Sequence, residues 1–410
     1  MLALDTNYRV KKKLFSKSKL TRVTSVIAFL LPRLSFTYPF YLLPSILSIK
    51  FTRKQVSRLF IFLAGCITCC VVSSFQSKIS ITAFLLSLIL QLPFFFFLFH
   101  FDVKEKLNVL KVLRYINIFT FILSIVNMAG HGFPFQLPYI NFPPDFYSAL
   151  YGQGGAKIVT VIGFIGFISE IFREEKKFFS APVIVSLLNF LIPNYLTGII
   201  LGLGTLLLVA VRRKIYLLTI IFLIVLVIAP YAQERFAFLN DSFANTVGYN
   251  PKIFAYFSIL YVFFQFPITI FSGTGLGQFT STPALWASQY LSSLSTHDIP
   301  HLPGLFMSGY HEQILGPVLS SLSDDVWSLS SSANKPYTSI STIIAEYGIL
   351  ISIFIFILFF RAFKKMNFRK KFTLSIFLFT LFLFSTDLWH DNLWLGYLLI
   401  LSRGISKEAI

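Results

Sequence analysis

The sequence predicts an all-α polytopic integral membrane protein, and three observations lead to that fold class. The 410 residues are 55% hydrophobic and only 13% charged, whereas a soluble domain is about 25% charged. Apolar runs such as residues 80–101 exceed the roughly 20 residues that a transmembrane helix needs. Short basic clusters separate these runs, as in the cytoplasmic loops of membrane proteins.

The apolar runs predict about twelve transmembrane helices. The predicted spans are residues 23–32, 35–49, 59–75, 80–101, 115–130, 156–172, 178–193, 195–211, 215–231, 339–360, 372–386 and 391–402. Pro32 and Arg33 interrupt residues 23–49, which favours a pair of short spans or a re-entrant hairpin. With twelve spans, most of the 35 Lys and Arg residues fall on the side of both termini, which is therefore predicted to be the cytoplasm. This distribution explains the net charge of +18 without a nucleic acid as partner.

The spans divide the chain into five predicted parts. These are a basic cytoplasmic N-terminus (1–22), transmembrane helices one to nine (23–231), a large external loop (232–338), transmembrane helices ten to twelve (339–402) and a cytoplasmic tail (403–410). Connections longer than about 15 residues are usually functional, so the loop is the expected location of a site. We expect its apolar segment, residues 252–271, to lie at the outer interface or to pack on the membrane domain. A thirteenth span would move later basic clusters outside.

Few cations are predicted on the external side. They are Arg33, Lys78, Lys157, Arg235, Lys252 and Lys335. Because external cations run against the usual bias, we expect some of them to have a specific role. Arg235 is the strongest candidate, since a guanidinium binds two phosphate oxygens at once.

Two residues are candidates for acid–base chemistry. His311 lies beside Glu312 in the loop, and a neutral imidazole can accept a proton from a hydroxyl group. Glu346 lies inside the apolar run 339–360, where a carboxylate is costly and usually functional. The alternatives for Glu346 are a shallow residue that reaches the outer surface and a structural partner for a loop cation.

Other polar groups favour less specific interpretations. A metal site built from His297 and His301 is disfavoured because further ligands are not evident. The polar cluster at residues 387–391 favours a solvated turn over the lining of an outer cavity, and Glu170 is expected to be interfacial. The three cysteines at positions 66, 69 and 70 are expected to be small apolar residues of a helix rather than metal ligands.

A glycine-rich stretch within the loop reads GTGLGQF and contains Gly273, Gly275 and Gly277. It lacks the Lys-Ser/Thr pair of a nucleotide-binding P-loop, and ATP is not available on the predicted external side. The stretch therefore predicts a tight turn that brings its backbone close to another segment or to a phosphate. The turn against another segment is the favoured interpretation.

The order of these features resembles the bacterial O-antigen polymerase family (Wzy-type) and the related O-antigen ligases. The matching elements are Arg235, the stretch 273–279, the Glu-Tyr-Gly sequence at 346–348 and the glycine-rich residues 150–157. Two features differ from the family pattern. Tyr337 and the following Thr occupy the position of the His-Asn pair typical of ligases, and Lys252 stands where a second loop arginine is frequent.

The resemblance implies a GT-C-like glycosyltransferase of the bacterial inner membrane with its large loop in the periplasm. Such an enzyme transfers a growing glycan from undecaprenyl diphosphate to the non-reducing end of another lipid-linked repeat unit, without a metal or cofactor. The departure from the ligase pattern leaves the catalytic base unassigned. The residues themselves suit such a reaction: His311 or Glu346 is the candidate base, and Arg235 with Lys252 or Lys335 is the candidate set of cations for the diphosphate. Gly273, Gly275, Gly277, Lys157 and Tyr337 are the candidate residues of the substrate loop. The implied partners are undecaprenyl-diphosphate-linked oligosaccharides, the lipid bilayer, a chain-length regulator and a flippase.

Three other functions compete with the polymerase. A ligase or another lipid-linked glycosyltransferase would use a similar site with a different acceptor. A flippase or transporter would favour internal repeats and broken helices at the midplane, and no convincing repeat is visible in the sequence. A non-enzymatic scaffold would use the loop as a binding surface.

Overall fold

A computed structural model gives the structure of the chain. It describes residues 17–30, 40, 42–104, 108–130, 149, 155–172, 180–193, 195–210, 251–288, 306–316, 338–366 and 370–408. The helices are α1 (Lys17–Leu30), α2 (Leu42–Ser48), α3 (Arg53–Ser74), α4 (Ile81–Leu98), α5 (Val109–Gly130), α6 (Gly155–Ile171), α7 (Ala181–Leu191), α8 (Leu196–Ala210), α9 (Pro251–Gln265), α10 (Thr269–Ser272), α11 (Thr282–Trp286), a π-helical turn (His311–Leu315), α12 (Ser339–Lys364), α13 (Lys370–Thr386) and α14 (Leu393–Glu408). The strands β1 (Ile49–Lys50) and β2 (Asp102–Val103) pair antiparallel.

The described chain is mostly helical, in agreement with the predicted all-α class. Four of its helices, α3, α4, α5 and α12, are long and apolar enough to cross a membrane. Large apolar side chains on these helices are exposed, which suits contact with lipid rather than water. The count of twelve spans and the orientation of the termini stay predictions, and the predicted span 215–231 lies outside the described residues.

The run 35–49 contains one described helix, α2, of seven residues. A helix of that length rises only about 10 Å, so α2 does not cross a bilayer by itself. The chain then turns into β1, whose Ile49 and Lys50 pair with Val103 and Asp102 of β2. Residues 31–39 and 41 lie outside the described residues, so both predicted arrangements for residues 23–49 stay predictions.

The helices that frame the site begin at hydroxyl caps. Thr52 accepts from the N–H of residue 55 at the start of α3, and Ser80 accepts from the N–H of residue 83 at the start of α4. Thr338 and Ser341 form a reciprocal capping box at the start of α12. These caps satisfy backbone donors that a helix N-terminus leaves without partners.

The predicted apolar segment 252–271 contains α9 and α10. One side of α9 is buried, where Val262 and Phe263 belong to a small apolar cluster that also includes Phe279 and Tyr310. The opposite side is open, with Phe264 82% exposed. One face of α9 therefore packs against Phe279, Tyr310 and Ala345 of α12, and α9 ends at Gln265.

Candidate functional site

The site is built around a break in α12. Gly348 has φ 72° and ψ 170°, which interrupts the helix after its first nine residues. The break frees backbone carbonyls that a continuous helix would bond internally. The N–H of Thr274 donates to the Ala345 carbonyl at 2.9 Å, and the N–H of Gly275 donates to the Glu346 carbonyl at 3.1 Å. The glycine-rich stretch thus supplies the donors that the break requires.

A hydroxyl from the second half of α12 also bridges the break. Ser352 Oγ donates to the Ile343 carbonyl at 2.9 Å. This bond lies within α12 and does not involve the glycine-rich stretch, so it stabilises the broken helix independently of the loop.

The carboxylate of Glu346 is enclosed by backbone donors of residues 277–281. These residues and the glycine-rich stretch before them, 273–281 in all, are called the glycine-rich loop below. Oε2 accepts from the N–H of Gly277 at 2.8 Å. Oε1 accepts from the N–H groups of Phe279 at 3.0 Å, Thr280 at 3.2 Å and Ser281 at 3.1 Å. The Glu346 side chain is only 1% exposed. The anion held by this loop is therefore the carboxylate of the protein itself, and these four amides are already occupied.

Two glycines of the loop are required by its close contacts. At Gly273, with φ 68°, a Cβ would lie 2.2 Å from the Glu346 carbonyl oxygen. At Gly277, with φ 75°, a Cβ would lie 2.3 Å from the carbonyl oxygen of Ala83 in α4. Since L side chains rarely adopt such φ values, glycine is needed for both conformation and space.

Further hydrogen bonds fix the loop to α4 and to the segment before the π-helical turn. The Ser80 N–H donates to Gln278 Oε1 at 2.7 Å, and Gln278 Nε2 donates back to the Ser80 carbonyl at 2.9 Å. Ser308 Oγ donates to the Gln278 carbonyl and accepts from the His311 N–H. The loop therefore connects α4, α12 and the backbone of His311.

The His311 side chain is fully buried and is oriented by the same loop. Its Nδ1 lies 2.6 Å from the Phe279 carbonyl oxygen. Because a carbonyl only accepts, Nδ1 carries the proton and Nε2 presents a lone pair. Among the described residues, Nε2 has no hydrogen-bond partner. Burial lowers the pKa of His311 from 6.5 to about 4, so the imidazole is neutral at pH 7.

A second polar cluster joins the ends of α6, α8 and α13. Asp387 Oδ2 accepts from Tyr195 Oη at 2.8 Å and lies 3.3 Å from Lys157 Nζ. Lys157, predicted as an external cation of the substrate loop, is thus an ion-pair partner of a residue 230 positions away. This pairing could not be predicted from sequence, because nothing local connects the two residues.

The prediction of a solvated turn at residues 387–391 is wrong. Asp387 is 6% exposed, His390 is 1% exposed and Asp391 is fully buried. Asp391 Oδ2 accepts from the N–H of Thr282 at 2.7 Å. The turn is buried because it packs on the start of α12, where the Ser339 hydroxyl accepts from two of its N–H groups.

Two other predictions can be compared with the structure. Glu170, expected to be interfacial, is nearly buried and accepts two hydrogen bonds from Arg114, at 2.5 and 2.8 Å. The three cysteines lie in α3 as free thiols. Within the described ranges, no group of three or more His, Cys, Asp or Glu side chains could hold a metal ion.

Several predicted site residues lie outside the described part of the chain. They are Arg235, Lys335 and Tyr337, and the disfavoured metal ligands His297 and His301 lie outside it as well. The backbone of Lys252 belongs to α9, but the structure does not describe its side chain. The structure therefore brings together His311, Glu346 and the glycine-rich loop, whereas the predicted diphosphate-binding cations remain predictions.

Comparison with known protein families, with curated proteins and with solved structures found no match for this chain.

Proposed function

We propose that this chain is a polysaccharide repeat-unit polymerase of the bacterial inner membrane. The resemblance of its sequence to the O-antigen polymerase family supports this proposal. It would transfer a growing glycan from undecaprenyl diphosphate to the non-reducing end of a second lipid-linked repeat unit on the periplasmic side. The observation that carries the proposal is the His311 imidazole, which is neutral and has an accepting Nε2 without a partner among the described residues.

In this proposal His311 is the general base. The acceptor hydroxyl transfers its proton to His311 Nε2 while its oxygen forms a bond to the anomeric carbon of the donor. The bond between that carbon and the diphosphate oxygen breaks, and its electron pair leaves with undecaprenyl diphosphate. Because His311 has no exposed surface, the acceptor must open a path to Nε2 when it binds.

The leaving diphosphate gains negative charge as the bond breaks. Cations already in position stabilise such charge more than water does. We propose Arg235, Lys252 and Lys335 for this role, on the basis of their positions in the predicted external loop. Lys157 is less suited to it, since its ammonium is paired with Asp387.

The test is reconstitution of the purified protein in vesicles with lipid-linked repeat units. The proposal expects long lipid-linked chains from the wild-type protein and a loss of about 10²–10⁴-fold in rate for His311→Gln. Ser352→Ala is the matched control, because Ser352 lies in the same broken helix and its hydroxyl bonds to the Ile343 carbonyl within that helix. Transfer to lipid A-core alone would favour a ligase, and substrate movement across the bilayer without new chains would favour a flippase; either result overturns the polymerase.

A further inference from the structure

We infer that Glu346 is a positioning residue that acts on His311 through a single peptide group, and not a second acid or base. This inference rests on the proposed function of His311. The peptide group is the one between Phe279 and Thr280. Its N–H donates to Glu346 Oε1 at 3.2 Å, and its carbonyl lies 2.6 Å from His311 Nδ1.

The peptide group couples Glu346 to His311 in two ways, by fixing the direction of the carbonyl and by polarising it. A peptide is planar and rigid, so fixing its N–H also fixes the direction of its carbonyl. A carboxylate on the N–H side polarises the group and makes the carbonyl oxygen a stronger acceptor. That oxygen then holds the proton on His311 Nδ1, which keeps the lone pair on Nε2. The arrangement is a carboxylate–peptide–imidazole series, in which the peptide takes the place of a direct carboxylate–histidine contact.

The remaining contacts of Glu346 also suit positioning. Its oxygens accept from three further N–H groups, those of Gly277, Phe279 and Ser281. A proton on this carboxyl would face backbone donors, which cannot accept it. Unlike His311 Nε2, both oxygens of Glu346 already have backbone partners, so a hydroxyl of the substrate would have to displace these N–H groups to reach the carboxylate.

The segment of His311 is fixed by the same loop on its other side. Ser308 Oγ donates to the Gln278 carbonyl and accepts from the His311 N–H at 3.1 Å. Backbone and side chain of His311 therefore both depend on residues 278 and 279. When the carboxylate of Glu346 is lost, we expect residues 278 and 279 to leave their positions and the His311 imidazole to adopt more than one orientation.

The first test is a double-mutant cycle of Glu346→Gln and His311→Gln in the reconstituted enzyme. A glutamine can offer its one oxygen to three of the N–H groups, but its amide faces the Gly277 N–H as a second donor. We expect Glu346→Gln to lower kcat about 10–100-fold, the size of effect seen when a group that orients a metal-binding histidine is lost, with KM unchanged. In the His311→Gln background the same change should have no further effect.

Ser352→Ala is again the control. It removes a hydrogen bond across the same break in α12 but leaves the four amides and Glu346 in place. Its kcat per folded molecule should equal that of the wild type. Losses from Glu346→Gln and His311→Gln that multiply would make Glu346 an independent base. An unchanged kcat in folded Glu346→Gln would reduce its role to stability. Either outcome overturns the inference.

The second test does not depend on enzymatic activity, and its wild-type measurement does not depend on the folding of a variant. ¹⁵N NMR of histidine-labelled wild-type protein, which has six histidines, reports the tautomer of His311. We expect a protonated Nδ1 and an unprotonated Nε2 at pH 8, and a mixed tautomer in Glu346→Gln at the same pH. A wild-type proton on Nε2, or an identical tautomer in Glu346→Gln, contradicts the inference. If the wild-type protein makes no polymer while the tautomer responds to Glu346→Gln, the proposed reaction fails and the coupling between the two residues stands.

Discussion

Gly273 and Gly348 pack backbone against backbone. A Cβ on Gly273 would lie 2.6 Å from the Gly348 nitrogen, and a Cβ on Gly348 would lie 2.7 Å from the Gly273 nitrogen. Both residues have positive φ, at 68° and 72°. The contact brings the loop close enough to α12 for its amides to reach the carbonyls freed by the break.

The first prediction concerns this contact. Gly348→Ala should destabilise the protein by roughly 1–3 kcal/mol or more, because alanine is strained at this φ and its Cβ would lie 2.5 Å from the Phe271 carbonyl oxygen. Thermal unfolding in detergent measures the effect. Gly204→Ala is the control: Gly204 lies inside α8 with open space at its Cβ position, so alanine should be neutral or slightly stabilising there. Equal unfolding temperatures for the two variants would contradict the close contact.

The second prediction concerns the ion pair of Lys157 and Asp387. Lys157→Met should lower the free energy of unfolding by about 1–3 kcal/mol, because it leaves a buried carboxylate with one fewer partner. Adding Asp387→Asn to Lys157→Met should recover part of the loss, since the neutral amide no longer needs a cation. Denaturation of the single and double variants measures the coupling.

The alternative for Lys157 is the substrate role predicted from the sequence. In that case Lys157→Met would raise KM in the reconstituted reaction while the free energy of unfolding stayed at the wild-type value. A purely structural pair gives the reverse pattern.

The third prediction concerns pH. A general base must be neutral, and burial lowers the pKa of His311 from 6.5 to about 4. Activity should therefore persist to pH 5.5 and be lost as the pH falls through about 4. A base with the ordinary pKa of 6.5 would retain roughly a tenth of its activity at pH 5.5. The pH profile of kcat/KM for reconstituted polymerisation distinguishes the two cases.

The same shift affects stability. Because the folded pKa of His311 lies below the unfolded value, the folded state should lose stability as the pH falls from 6.5 towards 4. His311→Gln should remove this part of the pH dependence. A midpoint of activity near pH 6.5, or an unchanged stability profile in His311→Gln, would contradict the buried, neutral imidazole.

The fourth prediction concerns Arg235. If its guanidinium binds the lipid diphosphate, Arg235→Ala should abolish polymer formation while the protein still inserts into the membrane. Lys78→Ala is a suitable control, because Lys78 is also a predicted external cation but lies over the ring of Phe306, 4.7 Å from its centroid. Chain lengths on gels measure both variants, and wild-type chains from Arg235→Ala would remove that residue from the site.

Hydropathy predicted individual helices well where an apolar run has clear ends. The run 80–101 corresponds to α4, and the run 339–360 begins at the same residue as α12. In both cases a hydroxyl residue caps the first turn, so the chemistry that starts the helix is local. The break at Gly348 was not predicted, because a single glycine is often tolerated in a transmembrane helix.

The site was predictable only in part. Glu346 was identified because a carboxylate in an apolar run is costly without partners. Its partners could not be identified, since they are backbone N–H groups and nearly every residue carries one. The burial of Asp387 and Asp391 was missed for a related reason: their partners, Lys157, Tyr195 and the backbone of Thr282, are far away in sequence.

The separation between Glu346 and its donors has a consequence for biosynthesis. The four amides precede the carboxylate by 65 to 69 residues. During synthesis the loop therefore leaves the ribosome well before the residue that closes it, and it cannot adopt its final shape until the first half of α12 has followed. The candidate site is thus completed only after residue 346 has been translated, so a chain truncated ahead of that residue would carry His311 without the carboxylate that organises its surroundings.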